Sequence, residues 1–219
     1  MCNSQDIIVY KFIIKFQTPS GYVKNRKDFR HTSTSDTINK VTPGRMAQRE
    51  KIKLCTAFTK PFAGTGFFNK TFPAFGDTGS GYNRATSALM NLAVAGHYPD
   101  MYLDYPNVLI SRGPLPAAEN AAAIANAAGN IFFSWTDNSG ARGAKTNDKV
   151  LLLAYFDDLK QIIFSFNVAE RADCQATLIT NTRQGCAAET WISFLSNDEK
   201  NTANSVYTGT VQLGSATSL

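Results

Sequence analysis

The stretch that decides the fold is Asn130-Ile-Phe-Phe-Ser-Trp-Thr136, in which Ile131, Phe133 and Trp135 occupy every second position. A period of two is that of a β-strand with one buried face, so the pattern predicts that these three side chains point into a core. The turn residues Asn138-Ser139-Gly140 follow directly and separate this strand from the next apolar segment.

Further short apolar segments lie on both sides of this strand. We predict strands at 107–111, 121–125, 130–136, 149–156, 161–166, 175–179, 187–196 and 205–213. All eight prolines lie at or before Pro116, and proline removes a donor from a β-ladder, so the later region suits continuous strands. Seven or eight short strands at this spacing predict a β-sandwich over residues 101–219.

Residues 1–100 are predicted to form a separate, mixed part. The apolar run 7–16 is rich in β-branched and aromatic residues, which favours a strand, and the basic stretch that follows it favours a hairpin or an extended arm. Thr42-Pro43 supplies a hydroxyl cap and a proline for the start of a helix over 44–62. A second helix is predicted at 82–95, and the four phenylalanines of the 64–81 connection (67, 68, 72 and 75) are expected to form the seam between helices and sandwich.

The order of the strands resembles that of a fibronectin type III domain. The likeness rests on segments 130–135, 150–155, 176–178, 189–194 and 204–207. In that layout Trp135 is the core tryptophan of the second strand, and Trp191 lies on the sixth. The resemblance implies an immunoglobulin- or fibronectin III-like sandwich. Together with the N-terminal elements predicted above, the expected fold is mainly β with a small α part: an N-terminal strand or hairpin and two helices, followed by a seven- to eight-stranded sandwich.

The chain as a whole resembles a narrower group, an uncharacterised Bacteroidota family known only as a domain of unknown function. The motifs that carry this likeness are Thr42-Pro-x5-Arg49, Gly96-His-Tyr-Pro99, Asp104-Tyr105, Ile110-Ser-Arg-Gly113-Pro-Leu115, Phe133-Ser-Trp135, Asp148-Lys-Val150 and Asn204-Ser-Val-Tyr207. They span residues 42–213. The first 40 residues lack the glycine-rich opening of the family, and the resemblance implies no catalytic residue.

The charge of the chain is unevenly distributed. Residues 1–85 carry a net charge of +9 and residues 86–219 a net charge of −4. Such polarity suits either binding of a polyanion through one half or a head-to-tail contact between copies. The basic, aromatic stretch near residues 22–30 is the candidate contact for a polyanion or partner, through Lys24, Arg26, Lys27 and Arg30. The alternative is an ordinary solvated hairpin.

Signatures of common enzyme classes are absent from the sequence. Only His31 and His97 could act as imidazole bases or ligands, and neither HExxH nor G-x-S-x-G occurs. The glycine-rich segment 76–81 lacks the Lys-Ser/Thr pair of a phosphate-binding loop. We therefore expect a protein that is not an enzyme, with no catalytic residue, metal site or cofactor.

The cysteines and the N-terminus bear on the compartment. Cys174 and Cys186 flank a turn and could approach each other, but two buried thiols are expected in a reducing compartment. Lys11 and Lys15 interrupt the N-terminal apolar run, so we expect no secretory signal, no membrane span and synthesis in the cytoplasm.

These observations predict a non-enzymatic structural or assembly protein. Both faces of the predicted strand 7–16 are apolar and need cover, so Ile8, Tyr10, Phe12 and Ile14 are candidates for a subunit contact. The expected partners are the chain itself or other structural subunits, in a phage or prophage virion or a surface assembly. The alternative is a monomeric sandwich module that binds a glycan or a surface partner through its loops.

Overall fold

A computed structural model describes residues 42–76, 78–126, 128–180 and 185–214. These residues belong to one compact unit, Val41–Leu219. No helix in the described ranges combines the length and apolar character needed to cross a membrane. The predicted strand 7–16 and the basic arm lie outside the described residues.

The helices begin where the sequence supplies capping groups. They are α1 (Pro43–Thr59), a short 3-10 turn (Lys60–Phe62), α2 (Phe67–Thr71) and α3 (Gly81–Leu92). The hydroxyl oxygen of Thr42 accepts a hydrogen bond from the Arg45 N–H at 3.4 Å, and that of Ser80 accepts from the Asn83 N–H at 3.2 Å. Both predicted helices are therefore confirmed. The sequence pattern missed α2, because five residues are too few to show a helical period.

Nine strands follow α3 in the described chain. They are β1 (Val94–Ala95), β2 (Tyr102–Leu103), β3 (Glu119–Ala125), β4 (Ile131–Thr136), β5 (Lys149–Phe156), β6 (Gln161–Glu170), β7 (Gln175–Leu178), β8 (Ala187–Leu195) and β9 (Val206–Gln212). Strands β3 to β9 confirm seven of the eight predicted segments, and the β1–β2 hairpin was not predicted.

The predicted strand at 107–111 is wrong. A 3-10 turn (Tyr105–Asn107) comes first, and the extended chain after it forms no ladder. Its N–H groups bond instead to scattered acceptors: that of Ile110 donates to Ser205 Oγ at 2.9 Å and that of Arg112 to the Thr71 carbonyl at 2.9 Å. The apolar pattern arose because Val108 and Ile110 are buried without belonging to a sheet.

Strands β3 to β9 form a two-sheet sandwich of fibronectin III-like order. One sheet has the order β3-β4-β7 and the other β6-β5-β8-β9, with antiparallel neighbours throughout. Between the sheets, Ile131, Phe133 and Trp135 pack with side chains of β5 and β8. Trp135 is 5% exposed, which confirms its predicted place in the core.

The helices cover the outer face of the four-stranded sheet. Phe58 of α1 and Leu89 of α3 share a second core with Leu153 of β5 and Trp191 of β8. Strand β5 is therefore buried on both faces. The predicted division of the chain at residue 100 falls inside this unit. Independent folding of the two parts has to be tested by an unfolding measurement.

Three of the four phenylalanines assigned to the seam lie in this second core. Phe67, Phe68 and Phe72 are buried there, whereas Phe75 is 58% exposed. The ring of Phe67 lies 4.9 Å from that of Phe164 on β6, so α2 packs directly on the sheet.

A buried arginine ties together the loops at one end of the sandwich. Arg171, which is 0% exposed, bonds through Nε to Asp148 Oδ2 at 3.1 Å and through Nη1 to Asn138 Oδ1 at 2.5 Å. Its guanidinium lies 3.8 Å from the centre of the Phe194 ring. Burial lowers the pKa of Arg171, and the negative charge of Asp148 opposes that shift.

Candidate functional site

A groove of about 420 Å³ opens where the α2–α3 connection meets the segments that precede β3 and β9. We call it the arginine groove. Its lining residues are Phe72, Pro73, Phe75, Arg84, Arg112, Gly113, Pro114 and Asn204. The volume lies within the range of about 300–1,000 Å³ that is usual for small-molecule sites.

One wall is built by two chain segments that lie side by side. The Leu115 N–H donates to the Thr202 carbonyl at 3.1 Å, and the Gly113 N–H donates to Asn204 Oδ1 at 3.1 Å. A Cβ atom at Gly113 would lie 2.1 Å from the Thr202 oxygen, so only glycine allows this approach. The segments 110–115 and 204–207, which carry part of the family resemblance, thus meet at the groove.

Arg84 holds the opposite wall in place. Its Nε and Nη2 atoms donate to the Phe72 carbonyl at 3.0 and 2.6 Å, and Nη1 donates to the Gly79 carbonyl at 2.6 Å. One guanidinium therefore fixes both ends of the connection that carries Phe75. All of these acceptors are neutral, so they leave the positive charge of Arg84 in the groove.

Arg112 supplies a second positive charge. Its main-chain N–H is fixed on Thr71, but its guanidinium forms no hydrogen bond or ion pair with any residue in the described part of the chain. The side chain is exposed. A planar fork of N–H donors is thus presented at the rim of the groove, where it matches a carboxylate or another planar anion.

Phe75 gives the groove an exposed aromatic wall. Its backbone has φ of 39°, in the left-handed region that bulky residues rarely adopt. Such strain persists only where the surrounding structure holds it, and it is concentrated at ligand sites. The groove as a whole can hold an anionic group beside an apolar ring surface.

A second cluster of titratable groups lies at one end of the four-stranded sheet. Burial raises the pKa of Tyr105 and of Tyr155, and the nearby charge of Asp157 raises both further. Burial alone would raise the pKa of Asp157, but hydrogen bonds from Lys160 and the two tyrosines lower it on balance. Because each member has a partner within the cluster, we interpret it as a structural network.

The predicted contact residues cannot be placed in this structure. Lys24, Arg26, Lys27, Arg30, Ile8, Tyr10, Phe12 and Ile14 all lie outside the described residues and stay predictions. His97, which was considered and set aside as a ligand, is exposed. In the described part of the chain, no three His, Cys, Asp or Glu side chains converge as metal ligands.

Cys174 and Cys186 are free thiols. Both are partly exposed, so the expectation that they are buried is wrong. The reason is their position at the ends of the sandwich: Cys174 lies in a turn just before β7, and Cys186 lies just before β8.

The sequence matches a family of unknown function, DUF6266, over residues 18–209. The chain belongs to this family. The match begins well before residue 42, so the family covers more of the N-terminal segment than the motifs indicated. The bacterial phylum expected from the resemblance stays a prediction.

No curated protein is similar enough in sequence to count as a match. Among solved structures, the chain is similar to the fn3 domain of the human collagen alpha-1(XX) chain, with 14% identity and a TM-score of 0.37. That alignment covers 48% of this chain and 90% of the collagen domain.

Sequence reasoning missed the arginine groove. It interpreted the 64–81 segment as a connection and assigned no role to Arg84 or Arg112. The sequence Arg112-Gly113-Pro114 indicated a close approach of the backbone beside an arginine. It could not indicate that Asn204, about 90 residues later in the chain, lies opposite.

Proposed function

We propose that this protein is a non-enzymatic structural or assembly protein that associates with copies of itself. The observation that carries the proposal is the outer face of the three-stranded sheet, which no described element covers. We call this surface the open sheet face.

The open sheet face carries exposed apolar side chains in its central rows, and the charged residue Glu119 lies at one end of the face, in register with Thr136. Ile124 of β3 pairs in register with Phe132 of β4, which pairs with Thr177 of β7. Ile124 and Ile179 are each 61% exposed, and Phe132 is partly exposed. The neighbouring row consists of Ala122, Ser134 and Gln175. An exposed apolar row of this kind is unfavourable in water and is typical of an interaction surface.

Charge favours a second copy as the occupant. The chain has a formal net charge of +5, so a contact through uncharged positions avoids repulsion between like-charged surfaces of two copies. The two rows that contain Ile124, Phe132 and Ser134 carry no charge, so two copies can meet there by the same patch around a twofold axis. A virion of a phage or prophage, or another surface assembly, is our proposed setting for such subunits.

The predicted N-terminal strand offers a separate route to the same function. If Ile8, Tyr10, Phe12 and Ile14 form a strand, that strand can add to a sheet edge of a neighbouring subunit. The two routes differ in the residues that they require, so they are separable by experiment.

The test is the mass of the full-length protein by light scattering at micromolar concentration and moderate salt. We expect a dimer or larger species, and Ile124→Lys should shift it to monomer because the lysine places a charge in the apolar row. Ile52→Lys is the matched control, since Ile52 is also exposed but lies on α1. Deletion of residues 1–40 reports whether the predicted strand contributes.

Two results contradict the proposal. A monomeric full-length chain under these conditions removes self-association. An assembly that persists when Ile124→Lys is combined with deletion of residues 1–40 excludes both proposed surfaces.

A second candidate function is favoured by the arginine groove. A monomeric sandwich module that binds a glycan or a surface partner needs an exposed aromatic residue beside polar groups, and Phe75 with Arg112 supplies both. This function becomes the leading one if the protein is monomeric.

A further inference from the structure

The side chains around the arginine groove offer donors. Arg112 presents a guanidinium fork that has no partner among the residues that the structure describes. Asn204 uses its Oδ1 atom to accept from the Gly113 N–H, which leaves its amide nitrogen as a donor. Among the described residues, no side chain that lines the groove carries a carboxylate. A ligand for this groove must therefore bring acceptors, and the positive charge of Arg84 and Arg112 favours an anionic one.

The main chain of the 112–114 wall offers no free N–H group to a peptide. The N–H groups of Arg112 and Gly113 already donate to the Thr71 carbonyl and to Asn204. Pro73 and Pro114 have no N–H group at all. Extended peptides can be bound by adding a strand to free main-chain groups, and residues 112–114 offer no such donor.

What remains for recognition is a guanidinium fork, an amide and a ring face. Phe75 exposes its ring in a strained backbone conformation, beside the rings of Pro73 and Pro114. A flat apolar surface next to polar donors suits a ligand that has a ring with one hydrophobic face and oxygen acceptors at its edge.

We infer that the arginine groove binds an acidic sugar of the uronic acid type. The carboxylate lies on Arg112, the sugar ring lies against Phe75, and Asn204 donates to a ring or hydroxyl oxygen. The inference rests on the second candidate function, the glycan-binding module, and is independent of self-association.

The experiment is titration calorimetry of the full-length protein with oligomers of galacturonate, glucuronate and mannuronate, each paired with its methyl ester. The ester keeps the ring and the hydroxyl groups but removes the negative charge. We expect at least one acid oligomer to bind saturably, and its ester to bind at least about tenfold more weakly, because a charge-assisted fork is lost.

Two variants locate the binding, and one serves as control. Arg112→Gln and Phe75→Ala should each weaken binding of the acid by about tenfold or more. Arg142→Gln is the matched control, because it removes an exposed arginine that lies outside the groove. Circular dichroism spectra that match the parent confirm that each variant is folded.

Each adverse result has a defined meaning. Equal binding of acid and ester overturns the uronate inference but leaves a glycan-binding module in place. Equal loss in Arg112→Gln and Arg142→Gln overturns it in favour of nonspecific charge attraction. Tighter binding of an acidic peptide overturns it in favour of a peptide ligand. Absence of binding by all three acids overturns the inference.

Discussion

At the residue scale, the two tryptophans of the chain, Trp135 and Trp191, lie in two different hydrophobic cores. Trp135 lies between the sheets and donates its indole N–H to the Arg171 carbonyl at 2.7 Å. Trp191 lies on the other side of the four-stranded sheet, under α1, and donates to the Val108 carbonyl at 3.1 Å. Each indole is satisfied, so each can be buried without the cost of an orphaned donor.

Trp135→Ala should lower the free energy of unfolding by about 3–5 kcal/mol, as truncations of large aromatic core residues do. Phe132→Ala is the control, because Phe132 lies on the same strand but faces outward, and its loss should cost less than half as much. Urea denaturation followed by circular dichroism measures both. Equal losses in the two variants would contradict the inward and outward assignment of β4.

Some residues could be placed from sequence and others could not. Ile131, Phe133 and Trp135 were predicted correctly because a period of two needs no knowledge of the partner strand. Arg171 gave no signal, since a charged residue in a turn is usually solvated. Its burial depends on Asp148 and Asn138, which are more than 20 residues away in the chain.

At the element scale, β5 explains why the helices lie where they do. After Lys149, its residues 150–156 form an uninterrupted apolar run, and such runs are typical of strands that are buried on both faces. The sequence therefore predicted the strand and its bounds. It did not predict that α1 and α3 provide the second cover, because an amphipathic helix shows which of its faces is buried but not against what.

Glu199 links three elements through two salt bridges. It bonds to Lys70 of α2 at 2.7 Å and to Lys149 of β5 at 2.9 Å, from the connection between β8 and β9. Hydrogen bonds from Lys149 and Lys70 lower the pKa of Glu199 to about 2. Because the pKa of Glu199 is lower in the folded than in the unfolded chain, its carboxylate stabilises the fold at pH values above the unfolded pKa of 4.5. That contribution is lost as the pH falls toward 2.

The Glu199→Gln variant should therefore lose less stability than the parent as the pH falls from about 4.5 to about 2. The difference should be small, because solvent screens these exposed ion pairs. High salt should diminish the effect. Asp158→Asn serves as the control, because that carboxylate is exposed and belongs to none of the described ion pairs. The melting temperature of both variants and the parent is measured across this pH range. If Glu199→Gln and the parent lose the same melting temperature toward low pH, the two salt bridges contribute nothing to stability.

At the scale of the whole molecule, the four-stranded sheet is shared by two cores. The helices and the three-stranded sheet pack on its opposite faces, so neither core is complete without it. The composition of the chain changes near residue 100, where helices give way to strands, and this change predicted a division into two parts. Composition records the kind of element, whereas folding units are set by shared buried surface.

We expect the helices and the sandwich to unfold together. Without the helices, Leu151, Leu153, Tyr155 and Trp191 would meet water, at a cost of about 1.5–3 kcal/mol per large apolar side chain, or about 6–12 kcal/mol in total. That is comparable with the whole stability of a typical domain, about 5–15 kcal/mol. Thermal unfolding of the full-length chain should then give coincident curves by circular dichroism and tryptophan fluorescence. A fragment of residues 101–219 should aggregate or remain unfolded, and a soluble fragment with its own cooperative transition would instead establish the boundary at residue 100 as a true domain boundary.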